Sequence, residues 1–181
     1  LDLPIKHCND TNLKRMGRRT TKAELIQIVE TLRKEIPDII LRTTLITGFP
    51  GETQEEHEEL MEFIDTMEFD RLGVFTYSAE EDTPAAKMPD QIEEEEKQRR
   101  QAELMELQQE ISIDKGNARI GSEVEVMVEG KVADENAYVA RTYGDAPGVD
   151  GYLFINTDTQ LMSGDFAMVH VTGALEYDLI G

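Results

Sequence analysis

The segment Leu41–Thr53, LRTTLITGFPGET, limits the possible folds more than any other stretch of the chain. An apolar run from Ile39 to Ile46 stops at Gly48-Phe49-Pro50-Gly51, and Glu52-Thr53 open a strongly helical stretch, so the sequence predicts a buried strand, a tight turn and a helix start. Outside the carboxyl ends of parallel strands an α/β sheet offers a crevice, and the following helix offers unpaired N–H groups and a partial positive charge. Glycine at 48 and 51 is expected to let the backbone turn sharply and approach a ligand with no Cβ in the way. Any strand-to-helix turn uses Gly and Pro, so this turn alone is equally compatible with a purely structural role.

The flanking sequence repeats the strand-then-helix pattern. Leu1–Ile5 alternates like a strand end, with Pro4 leading into a loop. Thr21 and Glu24 form a capping box, and Leu25, Ile28, Val29, Leu32 and Ile36 follow at helical spacing up to Pro37-Asp38. Thr53 and Glu56 form a second box, ahead of an apolar face of Leu60, Phe63, Ile64 and Met67. Arg71–Tyr77 then predicts a third strand, buried on both faces of a parallel sheet. Three such strands neither close a barrel nor make a comfortable open sheet, so partner strands are expected upstream of Leu1.

Ser78–Pro89 is expected to be a polar loop, and Asp90 with Glu93 to open a long charged helix reaching about Gly116, docked by Leu104, Leu107 and Ile111. Beyond it the texture changes to short β-type runs at 123–129, 137–142, 151–155 and 166–171, separated by glycine-bearing turns. The fold class is therefore α/β followed by all-β, divided as 1–89 for a partial β/α barrel, 90–118 for a linking helix and 119–181 for a small antiparallel β-barrel.

Charge narrows the function classes. The 38 acidic residues outnumber the 18 basic ones, for a net charge of −20, which argues against wholesale wrapping of nucleic acid and fits a basic partner. The one basic patch is Lys6, Lys14, Arg15, Arg18, Arg19 and Lys22, either a solvated face or a site for an anion or carboxylate. A single cysteine, Cys8, allows no disulfide within the chain and suggests a quiet thiol. His7, His57 and His170 stand far apart with no Cys or His at ligand spacing, so no metal site is expected from this chain alone. No apolar run is long enough for a membrane span and no signal-peptide pattern opens the chain, so a cytoplasmic protein without membrane partners is expected.

The motifs LDLPIKH, RMGRRTT, LRTTLITGFPGET, FDRLGVFTYS and LMELQQEIS, in that order, resemble the carboxyl half of a radical S-adenosylmethionine methylthiotransferase, and the tail resembles its TRAM domain, an OB-like barrel. ARTYGDAPGVDGYLFI and the closing ALEYDLIG resemble the RimO family, which methylthiolates an aspartate of a small-subunit ribosomal protein. The resemblance implies a radical-SAM partial β/α barrel that uses S-adenosylmethionine and 4Fe–4S clusters. The CxxxCxxC motif for the first cluster is absent from this sequence, so the cluster ligands are expected outside this chain, which alone should lack the chemistry.

The resemblance also places the cofactor. Pro4, Lys6 and His7 are expected beside its ribose and methionine part, Arg18 or Arg19 at its carboxylate, and Gly48, Phe49, Pro50, Gly51 and Glu52 in a turn against its adenine. Position 6 is usually Gln in the family and position 148 commonly Glu, where this sequence has Lys6 and Gly148. In the tail from Arg119 onward, eleven acidic residues face only Arg119, Lys131 and Arg141. A basic ribosomal protein is accordingly the expected partner and tRNA the less favoured one, with Glu129, Asp134, Glu135, Asp145 and Asp150 as the docking acids at strand ends and turns. The alternatives are a fragment of a tRNA methylthiotransferase and a non-catalytic acidic binding module.

Overall fold

The computed structural model describes residues 1–133 and 135–181, which form two compact units, Leu1–Gln108 and Gln109–Gly181. In the first unit the chain runs through helix α1 (Asp10–Arg15), helix α2 (Lys22–Glu35), strand β1 (Arg42–Thr47), helix α3 (Gln54–Met67) and strand β2 (Arg71–Thr76). A 3₁₀ turn at Ala85–Lys87 precedes helix α4 (Glu94–Ala118), whose first part belongs to this unit.

β1 and β2 pair in parallel from Arg42–Arg71 to Thr47–Thr76. Leu1–Lys6 lies along the other side of β1, joined to it by isolated parallel bridges, Asp2 to Arg42 and Lys6 to Leu45, and by the Thr43 hydroxyl, which donates to the Leu3 carbonyl at 2.7 Å. Pro4 has no N–H to give the ladder, and Lys6 adopts a left-handed backbone with φ 73°, so the expected first strand is interrupted rather than continuous. β1 begins at Arg42, three residues later than the apolar run suggests.

Both capping boxes form as the sequence dictates. The hydroxyls of Thr21 and Thr53 accept from the N–H groups of Glu24 and Glu56, whose carboxylates accept in return. α3 buries Leu60, Phe63, Ile64 and Met67 as expected. α2 buries Leu25 and Val29, but Ile28 and Ile36 are exposed. β2 also departs from expectation: only Val74 in it is buried and Phe75 is 60% exposed, because no described residue covers that face of the two-stranded arc.

α4 starts at Glu94 rather than at Asp90, and it runs through Gly116 to Ala118. Asp90 is held in the loop: its backbone is left-handed, φ 59°, and its carbonyl accepts from the Gly51 N–H at 2.9 Å. In the first unit α4 is tied down by side-chain bonds to strand ends and loops. Lys97 donates to the Tyr77 carbonyl at 3.0 Å, Gln101 to that of Val74 at 2.7 Å and Gln108 to that of Phe69 at 2.9 Å.

The second unit is a curled six-stranded sheet of β3 (Glu123–Lys131), β4 (Ala137–Thr142), β5 (Leu153–Asn156), β6 (Phe166–His170), β7 (Gly173–Ala174) and β8 (Leu179–Ile180). Its order is β6-β3-β4-β5-β8-β7. The two short closing strands were not legible as separate runs, and β8 pairs with β5 in parallel, so the barrel is mixed rather than wholly antiparallel. Val126, Val128, Ala140, Leu153, Ile155 and Val171 supply the apolar interior expected of alternating strands.

Candidate functional site

The carboxyl ends of β1 and β2, with the loop after β2, enclose a cavity of about 560 Å³. Lys6, Arg15 and Arg18 give it a cationic side, and Phe49, Phe75 and Tyr77 an aromatic one. Thr83, Pro84, Ala85 and Met88 complete the wall, so the loop expected only to be polar is part of the cavity. Phe49 and Tyr77 meet edge to face with ring centroids 5.1 Å apart, which fixes both rings.

The basic patch splits into distinct roles. Arg18 lines the cavity and its Nη2 donates to the Pro4 carbonyl at 3.2 Å, holding the guanidinium over the end of the first segment. Arg19 is exposed and is not among the lining residues. Arg15 lines the cavity and its Nη1 donates to the Gly51 carbonyl at 2.8 Å. Lys22 instead pairs with Glu59 at 2.9 Å, away from the cavity lining.

His7 and Glu52 are not among the lining residues. Both side chains are fully buried, and His7 Nε2 stands 3.3 Å from Glu52 Oε2. The His7 Nδ1 accepts from the Asn9 N–H at 3.0 Å, which assigns the proton of the neutral ring to Nε2, the nitrogen that faces Glu52. Glu52 also accepts from Arg100 Nη1 at 2.6 Å, from the Gly48 N–H at 3.1 Å and from the Thr47 hydroxyl at 3.3 Å. Burial alone pushes the Glu52 carboxyl up, but the His7 ring, the Arg100 guanidinium and the Gly48 N–H outweigh it and hold the carboxyl below the usual carboxylate range.

The backbone of the turn needs both glycines. Gly48 and Gly51 have φ 72° and 80°, a region that L side chains avoid. A Cβ at Gly48 would stand 2.2 Å from Cγ of Lys97, and one at Gly51 would stand 2.9 Å from Nη1 of Arg15. The space is taken by the protein's own side chains. Pro50 is buried within the same turn.

Lys97 and Arg100 were not among the residues the sequence suggested. A signal was available: Arg100 shares the four-residue spacing of Leu104 and Gln108, a cation set on the stripe that docks α4. Arg100 is 5% exposed, and its Nε donates to Glu96 Oε1 at 2.8 Å while Nη1 also reaches the Glu52 carbonyl at 3.0 Å. The Arg99 and Arg100 guanidiniums hold the Glu96 carboxyl at about 2.

The donor set does not fit an iron–sulfur cluster. Burial, with the Glu59 charge behind it, pushes the Cys8 thiol up to about 12, and its sulfur donates to the Glu59 carbonyl at 3.7 Å. Among the described residues no group of three or more His, Cys, Asp and Glu side chains is placed to hold a metal ion. The cavity does fit S-adenosylmethionine: cations for a carboxylate, aromatic faces for a base, and a position at parallel strand ends.

Of the acids expected to dock a partner, Glu135 is exposed. Glu129 pairs with Arg141 at 3.1 Å. Asp145 is buried, which corrects the expected surface role: its Oδ2 accepts from the Thr142 hydroxyl at 2.6 Å and from the Thr142 N–H at 3.2 Å, closing the turn after β4. Asp150 is half-buried, and its Oδ2 accepts from the Ala146 N–H at 2.7 Å. Asp134 lies outside the described residues.

A parallel strand–helix arc with a ligand-sized cavity at its strand ends, followed by a curled β-barrel, defines the class, and sequence families agree with it. Residues 1–64 match the radical SAM superfamily and residues 120–181 match the TRAM domain. Over its whole length it is similar to proteins named ribosomal protein uS12 methylthiotransferase RimO. It is 59% identical over 181 residues to that of Lachnoclostridium phytofermentans and 50% identical over 182 residues to that of Pelotomaculum thermopropionicum, covering 100% of this chain and 41% of the relative in each case. With the Clostridioides difficile protein of the same name it shares 44% over 180 residues, 99% of this chain and 40% of that relative. The chain thus spans about two fifths of the length of the curated relatives it matches. Among the described residues no helix is long and apolar enough to cross a membrane.

Proposed function

We propose that this chain is the cofactor-side wall and TRAM domain of a radical SAM methylthiotransferase that modifies an aspartate of ribosomal protein uS12. The observation that carries the proposal is the cavity at the carboxyl ends of β1 and β2, lined by Arg18, Lys6 and Phe49, in a chain similar throughout to proteins of that activity. In this reading residues 1–89 bind the cofactor, 90–118 link, and 119–181 meet the basic protein substrate in the cytoplasm. S-adenosylmethionine, when bound, supplies the radical chemistry of the superfamily, and the clusters are held by cysteines other than Cys8.

The chain's own residues bind and orient. Arg18 meets the carboxylate of the methionine part through a charge-assisted bond, with Lys6 beside it. Phe49 and Tyr77 pack against the adenine, with Pro4 setting the Arg18 guanidinium through its carbonyl. Arg18→Ala should weaken S-adenosylmethionine binding by about 1.5–3 kcal/mol, and Arg19→Ala should leave it unchanged.

The deciding experiment uses the enzyme at the full length of its relatives, with reconstituted clusters, offered uS12 and tRNA separately. Mass spectrometry should find one methylthio group on an aspartate of uS12 and none on tRNA. Modification of tRNA alone would establish the tRNA reading, and cofactor binding without either product would leave an acidic binding module.

A further inference from the structure

Arg100, Glu52 and His7 form a buried network outside the cavity lining. Glu52 and His7 have no exposed side-chain surface, and none of the three lines the cavity. Yet each is bonded to backbone close in sequence to residues that line it. Glu52 holds the Gly48 N–H and the Thr47 hydroxyl at the end of β1, next to Ile46 and Phe49 of the cavity wall. His7 follows Lys6, and its Nδ1 takes the Asn9 N–H that starts the turn into α1, the helix carrying Arg15.

Arg100 closes the network from α4. It meets Glu52 twice, at the carbonyl and at Oε1, so the carboxylate and the backbone of the turn are fixed together. One helical turn earlier, Lys97 lays its stem over Gly48 and places its ammonium on the Tyr77 carbonyl, 5.8 Å from the centroid of the Tyr77 ring. Residues three apart share a helix face. One face of α4 therefore grips both strand ends from behind the cavity, β1 through Arg100 and β2 through Lys97.

We infer that Arg100 is a positioning residue for cofactor binding: acting through Glu52 and His7, it sets the 48–52 turn and the strand ends that shape the cavity, while touching no ligand. This rests on the proposed S-adenosylmethionine site. It assigns His7 and Glu52 a supporting part rather than direct contact. A buried charge cluster is costly unless every partner is in place, which makes it a device for one fixed geometry rather than a source of stability.

The test uses the full-length enzyme and S-adenosylhomocysteine as probe, so that no turnover is needed. Arg100→Lys keeps a cation but cannot span Glu52 through Nη1 and Glu96 through Nε in one planar fork. Affinity in the folded variant should fall about tenfold, the weight of one charge-assisted hydrogen bond, and Glu52→Gln should do the same. Because both act through one link, the double variant should bind about as well as either single one, whereas independent effects would multiply. The apparent KM for S-adenosylmethionine should rise by the same factor while kcat changes little. A folded Arg100→Lys enzyme that binds the probe as tightly as the parent overturns the inference, as do losses that multiply in the double variant. Failure of the unaltered enzyme to bind the probe would instead overturn the cofactor site itself.

Discussion

The two units solve the problem of a specific interior in opposite ways. The first buries polar and charged side chains: His7, Glu52 and Arg100 meet inside it, and the buried His57 Nε2 stands 2.8 Å from Glu103 Oε2. The second packs an apolar cluster in its barrel core, with Tyr138 turning its hydroxyl to accept from the Leu161 N–H at 3.3 Å. Its buried carboxylate, Asp145, closes the turn after β4 onto Thr142. An apolar core needs volume and pattern and tolerates exchange, whereas a charged one works only with all its members present. The unit built on charge is the one whose shape must be right at a cavity.

The largest effect should follow from breaking the charged network. Arg100→Ala strands a buried carboxylate and should destabilise the first unit by about 3–5 kcal/mol. Adding Glu52→Gln should recover part of that loss, since a neutral amide leaves no charge unpaired. Denaturant unfolding of the single and double variants measures both. In the barrel, Leu153→Ala should cost about 2–5 kcal/mol, chiefly through the cavity it opens, and Leu153→Met much less. If Arg100→Ala proves the milder of the two alanine changes, the contrast between the units fails.

Acid sharpens the same contrast. The Glu52 carboxyl lies lower in the folded protein than its ordinary value of 4.5, so it contributes stability above that value and loses it as pH falls through the folded one. The first unit should therefore weaken first as pH drops below about 4.5, and Glu52→Gln should flatten that limb while lowering stability at neutral pH. Thermal melts followed from pH 7 downward would show it.

Much of this was legible in advance for a physical reason. Capping boxes, periodicity and the Gly-Phe-Pro-Gly turn are local signals, and Thr21, Thr53 and the 41–53 stretch behave as their neighbours dictate. What escaped was set by distant partners. Glu52 looks like a helix-start acid beside a ligand turn; only the approach of Arg100, 48 residues later in the chain, makes it a buried hub. Asp145 looks like a loop acid until Thr142 closes onto it. Phe75 is in a strand with apolar character on both faces, yet it is exposed because nothing in the described residues covers that face.

The smallest effect on stability concerns the charge outside the barrel. Glu123, Glu125 and Glu135 are exposed while Asp145 is occupied inside its turn, so on the proposed reading these three are the acids to test. Glu125 and Glu123 sit opposite Met168 and His170 across the β3–β6 ladder, so exposed Met168 and Phe166 lie on the same outer face. An acidic rim around apolar anchors suits a partner whose lysines and arginines surround an apolar patch. Neutralising all three acids to Gln should change folding stability by less than about 0.5 kcal/mol. The association rate with uS12 should drop at low salt and converge with the parent's at high salt, because the Debye length shrinks from about 10 Å at 0.1 M to about 3 Å at 1 M. Dissociation should change less than association, since rim charges steer encounter more than they hold the complex. Stopped-flow rates against ionic strength for parent and triple variant decide it: equal slopes would mean that these acids serve only to keep the barrel dissolved.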